Sequence, residues 1–272
     1  STQNLVASAT NISSSLNLNS DDKCLNVMPL FHIHGLVAIL LASLKENATI
    51  ICSPGFNALK FFAWQNQHKP SWYSAVPTMH QAILDRAIRN THIIKSNPLK
   101  FIRSSSASLP KPIFLELEKT FKCPVIEAYG MTEAAHQMTA NPLPPKKRKS
   151  GSVGVAAGPE VKVIGKTGET LLSNLVGEIC IRGDNVTAGY KNNPKANLES
   201  FTNGWFKTGD QGFLDEDGYL TISGRIKEII NRGGEKVSPQ EIDDTLMENI
   251  NIAQAVTFAV QHKKLGEEVA CA

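Results

Sequence analysis

Between residues 24 and 136 short apolar runs alternate with stretches of helical period. Residues 25–28, 48–52, 72–76, 101–104 and 125–129 are short and rich in apolar, β-branched or aromatic side chains, which predicts strands. Residues 36–44, 59–67, 79–88 and 113–121 predict helices between them, and residues 1–15, with Leu5, Val6, Ala9 and Ile12, read as a helix already in progress. Strands separated by helices of this length argue for βαβ units and a mostly parallel sheet, which binds ligands at the carboxyl ends of its strands. Residues 105–108 and 129–133 each follow a strand directly and fall where a site is expected.

The texture changes after residue 149. Residues 151–158, 160–164, 177–183 and 218–222 are short, β-branched and punctuated by glycine, which predicts a compact antiparallel β subdomain. From Lys227 onward come a short apolar piece, a Gly233-Gly234 turn, a helix opening at Ser238-Pro239 and a strand at 255–260. Serine before proline, with Glu241 three residues on, is a capping signature. The expected fold is therefore α/β: a large domain of mostly parallel sheets flanked by helices (1–149), its antiparallel β subdomain (150–226), and the start of a smaller α+β C-terminal domain (227–272). Val269-Ala270-Cys271-Ala272 stops inside an apparent strand, so the chain reads as truncated at both ends.

Charge and cysteines narrow the class. The formal net charge is +3, and the single basic run, Pro144-Pro145-Lys146-Lys147-Arg148-Lys149, reads as a solvated loop and not as a nucleic-acid patch. Cys24, Cys52, Cys123, Cys180 and Cys271 are widely spaced and odd in number, which predicts reduced, buried thiols and no disulfide framework or metal cluster. Residues 36–44 are too short for a membrane span, and the first residues do not look like a signal peptide. A cytoplasmic protein is expected, with a peroxisomal location the alternative in a eukaryote.

Three motifs carry the chemistry. In Tyr129-Gly130-Met131-Thr132-Glu133 an aromatic, a glycine, a hydroxyl and a carboxylate share one loop, suited to a base, a phosphate and Mg²⁺; the bland alternative is a turn with Thr132 as helix cap. Thr208-Gly209-Asp210 presents a carboxylate able to accept two ribose hydroxyls, and Arg225 in Gly224-Arg225-Ile226-Lys227-Glu228 offers a planar fork; a surface ion pair is the alternative. Two further clusters add polar groups, Phe31-His32-Ile33-His34-Gly35 and Ser104-Ser105-Ser106-Ala107-Ser108, with His136 three residues beyond Glu133.

In this order the motifs resemble the AMP-forming acyl-CoA synthetases, part of the adenylating superfamily that includes luciferases and peptide-synthetase adenylation domains. The resemblance implies that Thr132 contacts the α-phosphate of ATP, Glu133 holds Mg²⁺ and Tyr129 stacks on adenine. It puts Ser106, Ala107, Ser108, Glu127, Ala128 and Gly130 along the nucleotide, and Asp210 with Arg225 on the ribose. Lys227 falls at the family's hinge, about which a C-terminal domain turns between two half-reactions. Gly233 and Gly234 would admit the pantetheine arm of coenzyme A.

The acid pocket would be lined by His32, His34, Ser106 and His136. Imidazoles that charge near neutral pH suit a small dianion. That pattern, with Asn185-Val186-Thr187-Ala188-Gly189-Tyr190 and Asn231-Arg232-Gly233-Gly234-Glu235-Lys236, looks most like the oxalyl-CoA synthetases. The implied activity is a carboxylate–CoA ligase forming an acyl-adenylate from a small diacid such as oxalate. Aryl-, succinylbenzoate- or fatty-acid–CoA ligases, a non-catalytic adenylate-binding fragment and a domain that loads a carrier protein are the alternatives. Two family features do not occur in this sequence: a Ser/Thr/Gly-rich phosphate loop ending in Lys-Gly, and a late lysine in a Pro-x-x-x-x-Gly-Lys context. The fragment alone is therefore expected to turn over poorly.

Overall fold

A computed structural model describes residues 1–272 except Glu248, Ile250 and Ala253. The chain divides into two compact units, residues 1–160 with 182–191, and residues 161–181 with 192–272.

The first unit is built on a seven-stranded sheet in the order β2-β1-β3-β4-β5-β6-β7. Its strands are β1 (Lys23–Asn26), β2 (Thr49–Cys52), β3 (Trp72–Ala75), β4 (Phe101–Ser105), β5 (Val125–Met131), β6 (His136–Ala140) and β7 (Val155–Ala156). The first five run parallel, β6 runs antiparallel to β5, and β7 antiparallel to β6. The helices are α1 (Thr2–Ser15), α2 (Ala42–Lys45), α3 (Ala58–His68), α4 (Pro77–Ala87), α5 (Thr91–Ser96) and α6 (Lys111–Phe121).

Period-2 alternation sends each strand's side chains to two cores. Leu25, Tyr73, Ile102 and Val125 pack with Phe61 and Phe62 of α3, Ile83 and Leu84 of α4, and Phe114 and Leu117 of α6. Cys24, Trp72, Phe101 and Ile126 face the other way, against Ile12 of α1 and Val37, Ala38 and Ile39. The latter three belong to a π-helical segment, His34–Leu41, that leads into α2; the helix expected over 36–44 thus starts earlier and winds wider.

Three expectations change in detail. The glycine-rich run after the basic loop adds β7 to this sheet, tied down by the Thr139 hydroxyl donating to Val153 O (2.7 Å) and Asn141 Nδ2 donating to Ser152 O (2.6 Å). Gly130 and Met131 lie within β5 and not after it, because pairing with β6 (Met131 opposite His136) prolongs the strand. Cys52 and Cys271 are exposed, whereas Cys24, Cys123 and Cys180 are buried; all five are free thiols.

The second unit holds β8 (Glu160–Ile164), β9 (Gly177–Arg182), α7 (Pro194–Ser200), β10 (Phe201–Thr202), β11 (Trp205–Leu214) and β12 (Leu220–Arg225), followed by β13 (Ile230–Arg232), β14 (Glu235–Val237), α8 (Pro239–Leu246), β15 (Thr257–His262) and β16 (Gly266–Cys271). A five-stranded sheet runs β10-β11-β9-β8 with β12 beside β11, and a four-stranded antiparallel sheet runs β14-β13-β16-β15. Ser238 caps α8 by accepting from the Glu241 N–H, as its sequence predicts. Among the described residues no helix is long and apolar enough to cross a membrane.

Candidate active site

At the carboxyl end of the parallel strands, one face of the sheet turns from apolar to polar. Cys24, Trp72 and Phe101 sit abreast on β1, β3 and β4, and two residues further on Asn26, Ser74 and Arg103 take the same places. His34, at the first turn of the π-helical segment, closes over this row: its Nε2 lies 2.6 Å from Ser74 Oγ and its Nδ1 3.0 Å from Ser106 Oγ. A neutral imidazole donates through one nitrogen and accepts through the other, so one serine receives a proton and the other gives one. His136 packs against His34 with ring centroids 5.3 Å apart. Three of the four acid-pocket residues expected from the sequence therefore meet. His32 does not join them; it is exposed, and its Nδ1 accepts the His34 backbone N–H.

Burial decides the charge of this cluster. His34 and His136 are sealed from solvent, and desolvation, with the Arg103 charge second, holds both well below the usual imidazole range. The shift favours the neutral form of both rings.

The loop after β5 presents Thr132 and Glu133 in a single 3₁₀ turn, Thr132–Ala134, with Thr132 exposed and Glu133 half-buried. Ala135 (φ +48°) and His136 (φ +104°) follow in the left-handed region, a conformation costing about 1–3 kcal/mol per residue outside glycine. Residues 182–191 hold this shape. Asn185 Nδ2 donates to Ala134 O (2.8 Å) and Gln137 O (2.9 Å), the Thr187 N–H donates to Glu133 O (2.7 Å), and the Tyr190 hydroxyl donates to Glu133 Oε1 (2.8 Å). Among the described residues no three His, Cys, Asp or Glu side chains gather as a metal cage. One oriented carboxylate fits Mg²⁺, which takes its remaining ligands from phosphate oxygens and water.

Gly130 makes the loop's close approach possible, since a Cβ there would stand 1.6 Å from His136 O. Gly130→Ala should thus destabilise the first unit by about 1–3 kcal/mol, read as a lower urea midpoint; an unchanged midpoint would show that β5 and β6 can part freely. Nearby, Ser106, Ala107 and Ser108 are exposed, Glu127 and Ala128 are buried in β5, and the Ser105 hydroxyl donates to Ala128 O at 2.7 Å, joining the two strand ends.

In the second unit Asp210 and Arg225 are opposite each other on β11 and β12, with Arg225 Nε donating to Asp210 Oδ1 at 2.8 Å. Asp210 lies at a strand irregularity between Lys207 and Gln211 and not in a free turn. Its carboxylate is 8% exposed against 51% for the Arg225 side chain, so the acid is held and the guanidinium reaches outward. Lys227 is exposed in the 3₁₀ turn Ile226–Glu228. Gly233 (φ +61°) and Gly234 (φ +101°) form the two-residue hairpin loop between β13 and β14, whose two positive φ angles require glycine-like residues.

Sequence reasoning missed two residues. Tyr190, which orients Glu133, sits 57 positions away in sequence and carried no signal of that contact. Arg103 did carry one: a lone charge at an inward position of the apolar strand Phe101-Ile102-Arg103-Ser104.

Comparison with known proteins agrees with this geometry. A family model described as AMP-binding enzyme matches residues 1–191. The chain is 50% identical over 276 residues to a probable CoA ligase of Humulus lupulus, an alignment covering 99% of this chain and 52% of that protein. It is 49% identical over 273 residues to an oxalate–CoA ligase of Arabidopsis thaliana, covering 99% and 53%. Among solved structures, o-succinylbenzoate coenzyme A synthetase of Bacillus subtilis, in complex with its acyl-adenylate intermediate, superposes with a TM-score of 0.86 at 30% identity, covering 99% of this chain and 54% of that one. The chain spans about half the length of the curated relatives it matches. It belongs to the AMP-binding enzyme family.

Proposed function

We propose that the full-length protein is an acid–CoA ligase that uses ATP to convert a small diacid, such as oxalate, to an acyl-adenylate and then to its coenzyme A thioester. The observation that carries this reading is the meeting of His34, Ser74, Ser106 and His136 in one polar cluster, in the same unit as the Tyr190-oriented Glu133. The relatives named as CoA ligase and oxalate–CoA ligase support it.

The reaction asks for little covalent chemistry from the protein. A substrate carboxylate oxygen attacks the α-phosphorus of ATP, pyrophosphate leaves, and the coenzyme A thiol then displaces AMP; positioning and charge stabilisation carry most of the barrier. Thr132 is assigned to the α-phosphate and Glu133 to Mg²⁺, which neutralises charge on the phosphates. Tyr129 is assigned to adenine, and Ser106, Ala107, Ser108, Glu127, Ala128 and Gly130 to the nucleotide's surroundings. Asp210 and Arg225 are assigned to the ribose, Lys227 to a hinge, and Gly233 and Gly234 to coenzyme A. A cytoplasmic location remains part of the proposal.

Pyrophosphate exchange by the full-length protein, with oxalate, malonate, succinylbenzoate, coumarate and medium-chain fatty acids, tests the reading. Exchange greatest with oxalate is expected; no exchange with any acid would sink it. Asp210→Ala should raise the KM for ATP about tenfold or more while sparing that for the acid, because the lost hydrogen bonds to a charged group act on the nucleotide alone. An equal rise for both substrates would remove Asp210 from the ribose.

A further inference from the structure

Arg103 is fully buried in the middle of β4, between Ser74 on β3 and Ile126 on β5. One of its nitrogens, Nη2, donates to Gln137 Oε1 at 3.1 Å, while Nε and Nη1 meet no protein acceptor. Among the described residues no carboxylate forms an ion pair with it. Burial pushes its pKa down to about 9, which leaves it charged at neutral pH. A sealed cation without a counterion is costly for a fold, and such groups gather where a ligand completes them. A second polar atom nearby is also open: His136 Nδ1 is buried without a protein partner, and neither imidazole brings charge of its own.

Access to this cluster runs through Ser106, which is exposed and touches His34 directly. Resting on the acid–CoA ligase reading, we infer that Arg103 is the specificity-determining residue of the acid pocket, supplying the fixed positive charge that favours a small acid with a second anionic group. His34, Ser74, Ser106 and His136 orient that group as neutral dipoles. An acid with a neutral tail leaves the guanidinium uncompensated and is disfavoured on that account.

The test compares oxalate with glycolate, whose hydroxymethyl group replaces the second carboxylate, in pyrophosphate exchange by the full-length protein. Wild-type exchange with any acid secures the ligase reading before variants are compared, so the two ideas fail separately. Arg103→Gln should lower kcat/KM for oxalate about a hundredfold, mostly through KM, and change glycolate by less than about fivefold. Arg103→Lys, which keeps the charge, should restore most of the oxalate preference. Gln137→Glu leaves the guanidinium in place but gives it a counterion, and should cut the preference about tenfold. The urea midpoint of Arg103→Gln should equal or exceed that of wild type. An unchanged oxalate-to-glycolate ratio in whichever of Arg103→Gln and Gln137→Glu folds overturns the inference. So does equal loss of both acids with a lowered urea midpoint, which marks a purely structural arginine.

Discussion

Mild acid should unfold the first unit well before the second. His34, His80 and His136 are all buried in that unit, whereas the second unit's single histidine, His262, is exposed. Desolvation holds all three below the usual imidazole value of 6.5, His80 at about 3, with hydrogen bonding at Ala75 and Arg103 only partly opposing it. Around His34 the further charges are Arg103, His32 and His80, and around His136 they are Arg103, His34 and His32; each pushes the same way. A histidine whose pKa is depressed on folding stays neutral in the folded state while the unfolded chain takes up protons. Stability is therefore full above pH 6.5 and is lost as pH falls through it. At pH 5.5 keeping His80 neutral costs on the order of 1 kcal/mol of the roughly 5–15 kcal/mol that hold a domain, and His34 and His136 add losses of the same sign. Trp72, fully buried in this unit, gives a fluorescence readout of urea unfolding. Equal midpoints at pH 7.5 and 5.5 would show that the rings protonate inside the fold.

The larger functional loss should come from Glu133. Replacing it with Ala should reduce Mg²⁺-dependent adenylation by about a hundredfold, the upper range for groups that set metal affinity, and leave the fold intact. Its carboxylate takes part in no core packing; its hydrogen bond comes from the Tyr190 hydroxyl, which the 182–191 segment brings to this loop. Tyr190→Phe should accordingly show a weaker form of the same defect, with half-saturation moved to higher Mg²⁺. A Mg²⁺ titration of pyrophosphate exchange separates the cases, and a Glu133→Ala protein with wild-type exchange would remove this residue from the site.

The alternation of strands and helices was legible because it is local: each strand of the first sheet and each flanking helix can be read from a window of about ten residues. Details that depend on a partner far along the chain were not. Met131 reads as loop until His136 is known to pair with it, and Asp210 reads as a turn until β9 and β12 are laid beside it. Glu133 and Thr132 are read from their motif, and His34, Ser106 and His136 from clusters after strands or beside that motif, but the sign of their electrostatics is not legible there. That sign depends on Arg103, whose burial requires covers on both faces of β4. A period-2 pattern reports which face a residue takes and not whether anything covers that face.

The π-helical segment has a consequence for how this family can drift. His34 is pinned at its front by Ser74, and Ala42 is buried at its rear where α2 begins. Between those two points Gly35 is fixed as well, since a Cβ there would stand 2.4 Å from Pro29 O, and only the partly buried Leu36, Leu40 and Leu41 should exchange among aliphatics with little effect. Gaining or losing one residue is another matter. A single deletion would rewind the segment toward 3.6 residues per turn and swing either the imidazole away from Ser74 or Val37, Ala38 and Ile39 out of their core. The stretch is thus permissive at its leucines and strict in length, and a gap in an alignment here would tell more about the acid pocket than a leucine exchange within it.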